Sequence, residues 1–69
     1  MRIDFTKLRK LCNMTILEIS SELGVSPYTY IRWQRWSKYG NNASEPNQDN
    51  LNNIIKFMHA MNINSQEVV

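Results

Sequence analysis

The stretch ILEISSELGVSPYTYIRWQR, residues 16–35, decides the fold. It writes a short amphipathic helix that stops at Leu23-Gly24-Val25 and a second helix that starts at once with Ser26-Pro27. Two helices that meet at a steep angle within a few residues need a left-handed backbone position between them, and Gly24 takes it without a steric penalty. Ser26 accepts a hydrogen bond from the free amides of the new helix, and Pro27 fits its first turn, where an absent amide proton costs nothing. Val25 then points inward as a plug. Upstream, Thr15 and Glu18 have the spacing of a capping box and Met14 can staple against Ile19, so a helix opens at Ile16. Ile19 and Leu23 share one face. Ser20 between them is small enough to let the next helix cross closely.

Periodicity predicts helices over the rest of the chain and no strand. Residues 4–13 put Phe5, Leu8 and Cys12 on one face, with Lys7 and Lys10 off it. The helix that opens at Pro27 continues to Lys38 or Tyr39, where Gly40 is a left-handed stop before the polar loop of residues 41–46. Asn47 caps a fourth helix with Asp49 in its first turn and apolar positions at Leu51, Ile54, Ile55 and Met58, ending near Ala60. Asn64 or Ser65 caps one last turn holding Glu67 and Val68. The expected architecture is all-α, a compact bundle of four to five helices in one domain over residues 1–69. At this size a single core is barely self-sufficient, so association with a partner is an expected stabiliser.

Composition narrows the function. Eight basic against six acidic residues leave a net charge of only +2, yet no acid occurs between Glu22 and Glu45, where Arg32, Arg35 and Lys38 all fall. The single cysteine excludes an internal disulfide and fits a reducing cytosol, with Cys12 read as a small core hydrophobe. No apolar run approaches the roughly 20 residues of a membrane span and the start lacks the apolar centre of a signal peptide, so a cytoplasmic chain is expected. One His, read as the surface residue His59, one Cys, no glycine-rich phosphate loop and no cluster of metal ligands leave no constellation for catalysis. The expectation is a protein that is not an enzyme, with no catalytic residue, no metal, no cofactor and no small-molecule ligand.

An angular count along the third helix, at about 100° per residue, separates two faces. Arg32, Arg35 and Tyr39 fall within roughly 40° of Tyr28, while Tyr30, Trp33 and Ser37 lie opposite. Tyr30 and Trp33 then pack on Ile19, Leu23 and Leu8, and a stripe of two guanidinium groups and two phenols stays outside. Trp36 falls on the flank, between core packing and exposure. A basic stripe without carboxylates is suited to phosphates, and the major groove admits one helix whose Arg donates twice to guanine and whose aromatic ring rests on a thymine methyl. These residues therefore imply double-stranded DNA as the partner.

Across most of the chain the sequence resembles the Cro-like or XRE-type helix-turn-helix regulators of phages, plasmids and bacterial genomes. The matching features are Leu8-Arg9 in the first helix, Ile19-Ser20, Leu23-Gly24-Val25-Ser26, Tyr30 three residues before Trp33, Pro46 after a loop, and the apolar series Leu51, Ile54, Met58, Met61 and Ile63. The resemblance implies base reading by Ser26, Pro27, Tyr28, Ile31 and Arg32, with Arg35 next in line. It also implies phosphate contacts at Thr15 and Ile16 and in the segment after the third helix, at Lys38, Tyr39, Asn41 and Asn42. Three departures stand out. Gln34 occupies the place of a carboxylate that pairs with the first-helix arginine, so Arg9 is left at best a bond to a neutral amide. Tyr30 replaces a branched aliphatic, which either rearranges the core or brings its hydroxyl to the surface. The stretch 36–45 exceeds the usual short turn.

One reading helix covers few base pairs, so a homodimer on a palindromic operator is expected, with Met58, Met61, Val68 and Val69 as its apolar seam. A chain with no effector domain most simply represses by covering a promoter. Two other readings stay open: an excisionase-like or MerR-like DNA-bending factor, which adds a β-wing, and a protein-binding antitoxin or anti-regulator module.

Overall fold

The computed structural model describes residues 2–40 and 45–69. Within them the chain forms four α-helices, α1 (Phe5–Leu11), α2 (Ile16–Leu23), α3 (Pro27–Tyr39) and α4 (Gln48–Ala60), followed by a 3-10 turn (Ser65–Val68). No strand occurs among the described residues. None of their helices is long and apolar enough to cross a membrane.

Each start has its own cap. The Asp4 carboxylate accepts from the amides of Thr6 and Lys7, and Asn47 and Asn64 cap α4 and the 3-10 turn. Thr15 and Glu18 close a reciprocal capping box on α2, with bonds of 2.9 and 3.1 Å. The backbone bond donated by Thr15, and then its hydroxyl contact, hold the exposed Glu18 carboxyl below its ordinary value.

Three helices end in one way. Asn13, Gly24 and Asn62 take left-handed backbone at φ 56°, 71° and 57°, and in each case the next amide reaches back five residues, Met14 to Arg9, Val25 to Ser20 and Ile63 to Met58. This doubled ending satisfies carbonyls that a helix otherwise leaves open. It also corrects the first helix, expected over residues 4–13. Asparagine tolerates left-handed backbone because its short amide bonds locally, so α1 stops at Leu11 and turns at Asn13.

The core joins all elements: Ile3, Phe5 and Leu8; Ile19 and Leu23; Tyr30 and Trp33; Ile54 and Met58; and Val68. Phe5 is its hub. Its ring lies 5.7 Å from Tyr30 edge-on, 5.4 Å from Trp33 and 6.3 Å from Trp36, and each such pair contributes about 0.5–1.5 kcal/mol beyond burial. The Phe5 amide donates to Ser37 Oγ at 3.4 Å, and its carbonyl accepts from Tyr30 Oη at 2.6 Å. The Tyr30 hydroxyl thus ends inside the globule and does not reach the surface. Ser20 is buried as expected and donates to the Leu17 carbonyl at 3.1 Å.

The expected self-association seam needs correction. Met58 and Val68 are core residues, 5% and 0% exposed, and the Val68 carbonyl accepts from the Asp4 amide at 2.6 Å. The 3-10 turn docks on α1 and so carries Val68 inward. Only Met61 and Val69 of that set remain on the surface.

Burial raises the Tyr30 phenol above its ordinary value, with the Arg9 charge pulling the other way. The native state therefore keeps a proton that the unfolded chain releases near pH 10. The stability tied to this difference is full below that pH and is lost as pH rises toward the native value. Tyr30→Phe should cost about 1 kcal/mol at neutral pH through the lost bond to Phe5. In urea titrations the gap between variant and wild type should narrow in alkali above pH 10; a gap that is constant with pH would contradict the buried, neutral phenol.

Candidate nucleic-acid interface

The turn between α2 and α3 is built by four consecutive residues. Leu23 is buried, Gly24 turns left-handed, Val25 is half-buried against the core and Ser26 begins α3. Ser26 Oγ accepts from the Thr29 amide at 3.1 Å and lies 2.9 Å from the Thr29 hydroxyl, and Pro27 occupies the first turn. Gly40 closes α3 at φ 76°, its amide donating to the Trp36 carbonyl at 2.8 Å.

Docking on Phe5 fixes the rotation of α3. Tyr30 and Trp33 are swallowed, and Ser37 faces α1 through the Phe5 amide. The opposite stripe is outside: Tyr28 is 66% and Tyr39 73% exposed, with Ser26, Pro27, Arg35 and Lys38 also exposed. Ile31 and Arg32 are half-buried. Two cations of this surface sit on rings: the Arg32 guanidinium lies 5.9 Å from the Tyr28 centroid and the Lys38 ammonium 5.4 Å from that of Tyr39. Such contacts restrain long side chains that would otherwise lose rotamer freedom on meeting a ligand.

The phosphate candidates divide. Lys38 and Tyr39 stand exposed at the end of α3. Asn41 and Asn42 lie outside the described residues. At the start of α2 the Thr15 amide, the donor such a phosphate contact would use, is already engaged, because Glu18 Oε1 accepts from it at 2.9 Å. The capping box that opens this helix uses the donor a phosphate would need and places a carboxylate beside it. Thr15 is exposed and Ile16 half-buried there, and the next residue, Leu17, is an apolar side chain left 69% exposed. Leu17 was not singled out from the sequence, although its place off the Ile19 and Leu23 face leaves it no core to join.

Helix starts show where acid has been withheld. Asp4, Glu18, Asp49 and Glu67 stand at the cap or first turn of α1, α2, α4 and the 3-10 turn. α3 alone among the described helices starts with no carboxylate, only the hydroxyls of Ser26 and Thr29. Its positive dipole end is left uncompensated, which favours an approaching anion.

Arg9 ties the unit to α1. Its Nε donates to Gln34 Oε1 at 3.3 Å and its Nη1 to the Met14 carbonyl at 3.4 Å, the charge-to-neutral bond that Gln34 allows. Trp36 resolves as a half-buried flank residue with Phe5 on one side and the Arg2 guanidinium, 5.1 Å from its centroid, on the other. Cys12 is half-buried, and desolvation raises its thiol above the ordinary value, the behaviour of a structural residue. His59 is exposed, and no group of three or more potential metal ligands occurs among the described residues.

A second feature lies away from this face. A groove of about 590 Å³ is lined by Ile3, Leu51, Ile55, Met58, His59 and Ile63, among others, and receives no residue of α2 or α3. Ile55, one of the apolar positions of α4, is 47% exposed.

Set against protein-family models, curated proteins and solved structures, the chain matches none of them.

The turn makes its own demands. Nothing lies within 4 Å of a Cβ built on Gly24, so Gly24→Ala should cost only the left-handed backbone, about 1–2 kcal/mol. Ser26→Ala should cost about 1 kcal/mol through the lost cap. Urea titration of both variants checks this; a neutral Gly24→Ala would show that the turn does not need its left-handed residue.

Proposed function

We propose that this chain is a sequence-specific double-stranded DNA-binding regulator of the Cro-like or XRE-type helix-turn-helix kind. In this reading it is a repressor that covers a palindromic operator as a homodimer, with α3 in the major groove. The observation that carries the reading is the exposed face of α3: Tyr28, Arg35, Lys38 and Tyr39 on the surface beside half-buried Arg32, no carboxylate along the helix, and the inner face held by the core. Arg32 and Arg35 would donate to guanine, and Tyr28 and Ile31 would meet thymine methyls. Ser26 and Pro27 enter first, where Pro27 offers only apolar contact. Ile55 in the α4 groove, with exposed Met61 and Val69, would offer a second copy apolar surface outside α3. A two-fold pair would set equivalent helices about one DNA turn apart.

The β-wing that an excisionase-like or MerR-like bending factor adds has no counterpart among the described residues. The groove would equally serve an antitoxin-like protein-binding module, and the DNA experiment separates the two. Oligonucleotides selected from a random pool should yield a symmetric site whose affinity falls steeply with salt. Arg32→Ala should lose about 1–3 kcal/mol at one base pair and relax preference there, while Lys38→Ala should weaken all sequences evenly. No selected sequence, or binding indifferent to salt, would favour the protein-binding module.

A further inference from the structure

We propose that Arg2 is a phosphate-backbone contact of the DNA complex, held in place by Trp36 at the far end of α3. The inference rests on the DNA reading above and adds to it a residue outside the two helices and their turn. Arg2 is exposed, and its guanidinium stacks 5.1 Å from the centroid of Trp36, a ring itself steadied by Phe5 at 6.3 Å. Its two terminal nitrogens lie 3.6 and 3.7 Å from where a Cβ on Gly40 would stand, so the group covers the left-handed end of α3. A Cβ at position 40 would meet it at ordinary van der Waals distance.

The guanidinium lies against the Trp36 ring and the Gly40 turn, and because Arg2 is exposed its donors stay within reach of solvent and of an approaching oxyanion. No carboxylate of the described residues pairs with Arg2. Glu45 shares a small cleft with Trp36 and Ile3 without forming such a pair. Position then decides which part of a duplex it meets. With the first residues of α3 at the base edges, Trp36 lies eight residues beyond Tyr28, about 12 Å farther along the helix, away from the base-reading end. With Tyr28 over base edges, Arg2 reaches the wall of the groove, where phosphates stand, and joins Lys38 and Tyr39 at that end of α3.

The test uses the full chain and a fluorescent duplex selected from a random pool, with anisotropy titrations between about 50 and 200 mM salt. Arg2→Ala and Arg2→Gln should each lower the slope of log affinity against log salt by about one, so that the loss of affinity across this range shrinks by about three- to fourfold. Base preference should be unchanged, and Arg2→Lys should restore the slope. Wild-type slope and affinity in both neutral variants would overturn the assignment, as would a loss confined to particular base pairs, which would place Arg2 on a base edge. A wild-type chain that binds no duplex would instead overturn the DNA reading itself.

Discussion

The placement of α3 depends on one residue of α1. Phe5 presents its ring to Tyr30, Trp33 and Trp36, and its own peptide groups are engaged by the same helix, the amide by Ser37 and the carbonyl by Tyr30. A ring contact alone would tolerate rotation of α3 about its axis. Two hydrogen bonds separated by seven positions along that helix do not, since each fixes the azimuth of its own turn. The outward direction of Tyr28 and Arg35 is therefore set from the inside. In a domain this small, where net stability is a few kcal/mol, the loss of the Phe5 ring, about 3–5 kcal/mol, would remove both the fold and the definition of the exposed face.

Carboxylates are distributed by the same logic. Four of the six acids sit at helix starts, where they offset the dipole and cap amides. This leaves a net charge of only +2 yet keeps α3 free of acid. The consequence is a local field far stronger than the overall charge suggests, because surface charges beyond about 8–10 Å are screened at physiological salt. Phosphates near α3 would feel Arg32, Arg35 and Lys38 and little of Asp49 or Glu67.

Much of this was legible because it is written locally. Gly24, Ser26 and Pro27 act through neighbours within a turn, and so do the Thr15 to Glu18 box, the Asn47 cap and the Gly40 stop; each stands where the spacing placed it. The inner and outer faces of α3 also follow from helical periodicity. What stayed hidden depends on distant contacts. Val68 reads as a loose apolar residue until its carbonyl is bound by Asp4, 64 positions away, and Met58 until α4 closes on the core. Arg2 has no signal at all without Trp36 and Gly40 beside it. The Thr15 amide is a local case too: the capping box that Thr15 and Glu18 spell out occupies that donor. Asn13 and Asn62 carried a weak signal in their residue type, since asparagine is among the few side chains that turn left-handed readily.

The separation between inner and outer faces also governs how far binding and stability can be changed independently. Tyr28, Arg35 and Lys38 are exposed and contribute little to the core, so their substitution alters the surface while the globule persists. Arg32 differs. It is half-buried, rests against the Tyr28 ring and has contacts within the chain, so its removal also loosens the phenol beside it. The two residues act as a pair, and their effects on stability and on the proposed DNA affinity should not add as independent ones do. A double-mutant cycle over Tyr28 and Arg32, read by both urea titration and DNA affinity, would divide that coupling into the part that holds the stripe in shape and the part realised only on the duplex.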